Sequence, residues 1–370
     1  MSTVNSLDRK EPFIRIAKRT DISRGRAWII RIAAILLALV SGGLLIVALG
    51  HNPFAVYMDM INGSLSSNTK LISTVKIAIP LLGASLAIAP AFRMKFWNIG
   101  AEGQILAGAI AASYFALIQY QNLSRPMLLI LMYAAGELAG GIWALIPAVF
   151  KAVWGTNETL FTLMLNYIIL NFVTYLRTGP WKSPSSSQFP KIAMFDASAR
   201  LPNVFGVHIG WIIVLVLVVF MYIYMKHSKH GYEIAVVGES EQTARYVGMN
   251  VPKIIMRTAF LSGAIAGLVG VLIVSGTSYS LTDNTAGGYG FTAITVAWLA
   301  KLNPFGMVAI SAFLAILEKG SNTIQTTFKI PASAAEVLTG LILFFMLGCE
   351  FFINYRLILR KGKKMEVQHD

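Results

Sequence analysis

The chain has 370 residues, of which 56% are hydrophobic and 13% charged, and 31 Lys/Arg against 17 Asp/Glu give a net charge of +14. An average soluble domain carries roughly 25% charged residues, so this composition excludes a water-soluble enzyme and a disordered chain. At about 20 apolar residues per spanning helix, the apolar pool suffices for about ten spans. The single cysteine, Cys349, excludes an intrachain disulfide and a cysteine metal cluster.

Residues 1–27 read as a basic cytoplasmic segment. Eight Lys/Arg precede residue 32, from Arg9 to Arg31, against three acids. A cluster of this sign beside an apolar run reads as the positive-inside bias of membrane proteins rather than as a lipid- or nucleic-acid-binding patch. The first apolar run starts near Trp28 after a long charged lead and has no clear cleavage site behind it, so it reads as a retained span rather than a signal peptide.

Ten apolar runs follow in order: 28–50, 71–91, 97–119, 127–150, 158–178, 210–225, 257–279, 289–301, about 304–318, and 332–355. The fold class is therefore an all-α polytopic membrane protein, with a transmembrane domain over 28–355. The eighth and ninth runs are shorter than a full span, which leaves two readings, one hairpin that does not cross or two broken helices. An even count places both termini on one side, in agreement with the basic tail 356–370. Arg93, Lys95, Lys151 and the loop 227–256 then fall inside. The proline-rich segment 179–209, with the run Ser185-Ser186-Ser187, falls outside as a candidate docking surface. Gly136-xxx-Gly140 and Gly263-xxx-Gly267 have the spacing that lets helix backbones approach closely.

The chain has no G-x-x-x-x-G-K-[ST], H-E-x-x-H or G-x-S-x-G motif, and none of its five histidines lies inside an apolar run. No catalytic residue, metal site or cofactor is expected.

Four stretches carry informative polar residues, three of them in or beside the apolar runs and one in the inner loop. In Phe96-Trp97-Asn98-Ile99-Gly100-Ala101-Glu102-Gly103-Gln104, three polar positions and two glycines interrupt the third run. A carboxylate in hydrocarbon requires a partner or water. Asn98, Glu102 and Gln104 thus face a translocation path, or Glu102 marks an interfacial helix start. In the fifth run, Thr156 or Asn157 caps a helix on which Thr159, Thr162 and Asn166 share one face. That stripe faces a pore or a neighbouring helix. In the inner loop, Ser240 suits an N-cap and Gly248 a stop, which predicts a helix of about two turns bounded by glycines, with Ala244 and Val247 as its apolar face. It is a peg for a cytoplasmic partner or a plain connector. Finally, Gly287-Gly288-Tyr289-Gly290-Phe291-Thr292 precedes the short eighth run, as in a broken helix. The third run has the same order of glycine, polar residue and small-residue helix, a faint internal repeat.

The Phe96–Gln104 stretch, together with Asn157-Glu158-Thr159-Leu160-Phe161-Thr162-Leu163-Met164-Leu165-Asn166, resembles the permease subunits of bacterial ABC importers for simple sugars and nucleosides, within the branched-chain amino acid/ribose permease superfamily. Gly238-Glu239 through Gly248-Met249-Asn250 is similar to that family's coupling segment, and Gly288–Ala297 to its G-x-G-F-x-A-I-x-V-A stretch. The resemblance implies ten spans in two pseudo-symmetric halves, in a permease like those of type II ABC importers. It further implies a second permease subunit (identical or not), ABC ATPase subunits, an extracytoplasmic substrate-binding lipoprotein, contact with membrane lipid, and a bacterial plasma-membrane location with both termini cytoplasmic. By the same resemblance Glu239, Ser240, Glu241, Gln242, Thr243, Ala244, Arg245, Tyr246 and Gly248 engage the ATPase. Asn98, Glu102, Gln104, Thr162, Asn166, Phe291 and Thr292 line the path of a purine nucleoside or simple sugar. The competing reading is an ion-coupled secondary transporter using Glu102, Glu137, Glu336 or Glu350 as titrating acids.

Overall fold

A computed structural model of the chain describes residues 14–19, 23–184, 186 and 189–359. Most of the tail, with Arg360, Lys361, Lys363 and Lys364, and the first part of the basic N-terminal segment, with Arg9 and Lys10, lie outside the described residues, as do Ser185 and Ser187.

The chain divides into two compact units. The smaller comprises the terminal regions, up to Phe54 and from Ser333. Its strands β1 (Ile14–Lys18) and β4 (Tyr355–Leu359) pair antiparallel, Ile14 opposite Leu359. Its helices are α1 (Arg24–Ala48) and α13 (Ala332–Asn354). Ala34, Cys349 and Ile353 pack together, and Arg31 pairs with Glu350 at 3.0 Å. The pairing of the chain ends leaves no trace in a sequence read run by run.

The larger unit, Ala55–Ala332, holds most of α2 (Pro53–Leu65) and α3 (Asn68–Arg93), α4 (Ala101–Tyr114), α5 (Arg125–Trp154) and α6 (Glu158–Thr178). It continues with α7 (Gly210–His227), α8 (Lys229–Glu239), α9 (Glu241–Tyr246), α10 (Val251–Gly276), α11 (Tyr289–Leu299) and α12 (Pro304–Thr327). A π-helical turn, Phe115–Gln119, extends α4. Between α6 and α7 the segment 179–209 carries a bridge from Lys182 to Ile192 and a two-residue hairpin, β2 (Asn203–Val204) with β3 (Val207–His208).

Helix starts follow the local chemistry. Asn157 Oδ1 accepts the N–H of Thr159 at 3.0 Å and of Leu160 at 3.2 Å, so Asn157 rather than Thr156 caps α6. Ser67, Ser240, Asn250 and Asn303 cap α3, α9, α10 and α12 in the same way. Each such cap is worth about 1 kcal/mol against alanine.

Among the described residues, nine helices are long and apolar enough to cross a membrane, and α11, at 11 residues, is not. The ninth run differs from the expectation. It is a full helix of 24 residues ending at Thr327, not a short segment ending near 318. Glu318, Lys319 and Asn322 end the apolar run without ending the helix. Ser64 Oγ of α2 donates to Ile316 O at 2.8 Å, and Gly320 packs against the backbone of Met60. α2, which sequence periodicity did not single out, thus supports the second half of α12.

α10 lies at the centre of this unit and is the most fully buried of the nine long apolar helices among the described residues. The two glycine motifs meet there. Gly140 abuts Gly263 and Gly267, and Gly267 abuts Gly136 O. Gly108 of α4 abuts Gly267 on another side. A methyl group on Gly108, Gly140, Gly263 or Gly267 would overlap backbone, and one on Gly136 would overlap the Val271 side chain. With no hydrophobic drive between helices in lipid, such close backbone approach supplies the packing.

Candidate functional site

Two features of the larger unit concentrate polar groups, a node buried among the helices and an elbow at one end.

The node begins where α3 stops. After Arg93 the chain continues without regular structure to Gly100, with Lys95 at φ +61. Along it, Asn98 reaches Ser262, near the midpoint of α10, and Nδ2 donates to Ser262 Oγ at 3.1 Å. Asn98 and Gln104 form a reciprocal amide pair, Nδ2 to Oε1 at 3.0 Å and Nε2 to Oδ1 at 2.9 Å. Both are 1% exposed. Asn166, two turns into α6, accepts the Gly103 N–H at 2.9 Å and donates to Ile99 O at 3.0 Å. Thr162 is buried one turn earlier, where any Cβ on Gly100 would meet it. Thr162 and Asn166 therefore face α4 and the chain leading into it. Irregular backbone at this depth is tolerated because each of these polar groups finds a partner inside the protein.

Glu102 lies in the first turn of α4. Its Oε1 accepts the Gly288 N–H at 2.7 Å and its Oε2 the Gly290 N–H at 2.8 Å. Gly288 adopts φ +77, a left-handed conformation that glycine takes without steric cost, and this turns the chain into α11. The first turns of α4 and α11 therefore meet at one carboxylate. From there α11 returns to the level of Trp97, whose ring stacks on Trp298 at 5.8 Å. Eight residues at 1.5 Å each separate Gly290 from Trp298, about 12 Å. On α11, Phe291 is 44% exposed and Thr292 half-buried.

The elbow consists of α8 and α9. Ser240 ends α8 and caps α9, its Oγ accepting the Thr243 N–H at 3.2 Å. Gly248, at φ +79, follows α9. α8 was not foreseen, and Gly238 is not a boundary glycine. It lies inside α8 and packs on Arg93 O, where a side chain would overlap. The Glu233–Arg257 ion pair ties α8 to α10 and holds the Glu233 carboxyl below the usual carboxylate range. Of the two residues expected to form the apolar face of α9, only Ala244 is buried, in a core cluster that includes Phe96, Ala148 and Ile255, whereas Val247 is exposed. Glu241, Gln242, Thr243, Arg245, Tyr246 and Gly248 point outward, Tyr246 with 92% exposure. Arg245 stands 3.8 Å from Glu241. A cavity of about 170 Å³ adjoins the elbow, lined by Lys95, Lys151, Glu239, Ser240 and Glu241 among others.

Among the described residues, no group of three or more His, Cys, Asp or Glu is placed to hold a metal ion. Of the acids an ion-coupled mechanism would use, Glu102 is engaged by two backbone N–H groups and Glu350 by Arg31. Sequence reasoning missed Ser262 and the N–H groups of Gly288 and Gly290 as partners. Ser262 sits in an uninterrupted apolar run, and a backbone N–H has no residue-type signature.

A family model described as "Branched-chain amino acid transport system / permease component" matches residues 70–347. The glucose ABC transporter permease protein TsgB13 of Haloferax volcanii is 32% identical over 358 residues, covering 93% of each chain. The guanosine ABC transporter permease protein NupP of Bacillus subtilis is 30% identical over 86% of this chain and 92% of its own. The nucleoside ABC transporter permease protein NupB of Lactococcus lactis is 28% identical over 92% and 96%.

Proposed function

The chain belongs to the branched-chain amino acid transport system permease family, and from that premise we propose that it is the membrane-spanning subunit of an ATP-driven importer for a nucleoside or simple sugar. The solute class comes from the three relatives, which carry glucose, guanosine and nucleosides by name. An uncharged polar solute suits a node whose carboxylate is already engaged by backbone donors.

In this reading the basic end, with Arg93, Lys151, Lys226 and Lys301, is cytoplasmic, as the positive-inside rule requires. ATP is hydrolysed by separate subunits, a second permease subunit completes the pathway, and an external binding protein docks near 179–209. Residues Glu239 to Gly248 meet the ATPase. The observation that carries this assignment is the contrast within α9, where Ala244 is fully buried while Arg245 and Tyr246 project. A short helix is marginal alone. This one is anchored on its inner face and offers its outer face.

The solute passes Phe291 and Thr292 on α11. Asn98, Gln104, Thr162 and Asn166 brace the wall from behind, and Glu102 fixes α11 to it. The test uses the exposed residues, since an acid at Ala244 would disrupt the core. Arg245→Glu with Tyr246→Ala is expected to abolish ATP-dependent uptake of labelled guanosine or glucose and to release the ATPase during purification, while the permease still folds. Uptake that survives the double substitution, with the ATPase still bound, would refute the assignment.

A further inference from the structure

The basic end holds a second polar feature, separate from the elbow. Arg93 at the end of α3, Tyr222, Met225 and Lys226 at the end of α7, and the turn Lys301–Pro304 enclose a cavity of about 380 Å³. Three of its lining residues are cations and none is an acid. Arg93 Nη1 donates to Met225 O at 3.1 Å, which sets the guanidinium against α7. Lys226 Nζ donates to the Tyr222 hydroxyl at 3.2 Å and lies 5.3 Å from the centre of that ring. Lys301 and Leu302 are consecutive at φ +52 and +57. Non-glycine residues enter that region only where the surroundings impose it.

The surface leading away from this recess is apolar. Val216, Val219, Phe220 and Ile223 are exposed on one face of α7, and Lys226 continues that face one turn on. Phe305 of α12, half exposed, packs on Tyr222 with ring centres 5.0 Å apart. A cationic recess at the end of a spanning helix, above an exposed hydrocarbon stripe, matches a ligand with an anionic head and acyl chains.

We propose that this recess binds the phosphate headgroup of an anionic phospholipid, with its chains along the Val216–Ile223 face of α7. The phosphate is the chemistry that Arg93, Lys226 and Lys301 recognise, and the apolar stripe selects a lipid over soluble phosphate. The proposal needs α7 to span the membrane and does not depend on the solute or the ATPase contact.

The experiment is native mass spectrometry of the full chain in detergent, titrated with phosphatidylglycerol or with phosphatidylcholine. The wild type is expected to retain phosphatidylglycerol preferentially. Lys226→Gln with Lys301→Gln is expected to bind it about thirty-fold more weakly, at roughly a kilocalorie per lost cation, with phosphatidylcholine binding unchanged. Lys301→Arg keeps the charge and is expected to bind as wild type, and an unaltered thermal transition certifies each variant's fold. Equal phosphatidylglycerol affinity in wild type and double variant overturns the proposal. So does displacement of the lipid by millimolar inorganic phosphate, which assigns the recess to a soluble anion. Loss of a bound ATPase subunit from the double variant in lipid-free detergent also overturns it, because an acidic protein segment would then be the occupant.

Discussion

The carboxylate of Glu102 accepts the backbone N–H of Gly290 at 2.8 Å across 188 residues of sequence. With the bond from Gly288, it joins the first turns of two helices whose dipoles both place partial positive charge there. Hydrogen bonds to a charged group are worth about 1.5–3 kcal/mol each. Glu102→Gln keeps one acceptor but sets an amide N–H₂ against a backbone donor. It is expected to lower the thermal midpoint and cut transport at least ten-fold. Glu102→Ala is expected to be worse, and wild-type transport in both variants would remove Glu102 from the mechanism.

The amide pair of Asn98 and Gln104 is buried and depends on both members. Asn98→Ala leaves Gln104 and Ser262 without their shared partner, at a cost of about 1–3 kcal/mol. Asn98→Asp does no better, because the Ser262 and Gln104 contacts then lose the donor Nδ2. Both variants are expected to unfold at lower temperature in detergent, and unchanged melting would mean the network relaxes freely.

Glycines within the long helices differ sharply in tolerance. A methyl at Gly267 meets Gly136 O, whereas one at Gly340 meets nothing within 4 Å. Gly267→Ala is expected to destabilise by about 1–3 kcal/mol through overpacking. Gly340→Ala is expected to be neutral or slightly stabilising. Equal melting temperatures for the two variants would contradict the packing described.

His208 gives the larger unit a pH dependence. It is buried against Gly210 and Gly276, with Thr277 Oγ1 3.4 Å from Nε2. Burial, with a smaller effect from the Lys76 cation, holds its pKa down from 6.5 to about 4. Above 6.5 both folded and unfolded chains carry a neutral ring, and the site contributes no pH dependence. As pH falls from 6.5 toward about 4, only the unfolded chain takes the proton, so stability declines across that window. Melting temperatures between pH 7 and 4 are expected to show this fall, and His208→Gln to flatten it. A pH profile identical in the two proteins would exclude His208 as the source.

Local signals were legible and distant partnerships were not. The cap and polar stripe of α6 were readable because Asn157, Thr162 and Asn166 obey helical spacing within one run. The shortness of α11 was readable from Gly287, Gly288 and Gly290. α8 was missed because Lys229–Glu239 mixes polar and apolar residues without a long run, and its order comes from Arg257 and Arg93 O on other elements. The length of α12 was missed because Glu318, Lys319 and Asn322 end the apolar run, whereas the helix goes on past Gly320, a small residue facing α2. Asn98 and Gln104 read as pore-facing because a polar side chain in a span requires an explanation. The structure places both against each other and Ser262.

The backbone contacts of Gly108, Gly136, Gly140, Gly263 and Gly267 leave α4, α5 and α10 no clearance to slide past one another. A transport cycle must therefore carry these three as a single plank, and any bending falls on the elements around them. A covalent staple between α4 and α10 is expected to leave turnover intact, and a stalled cycle in the stapled protein would show that the two helices part.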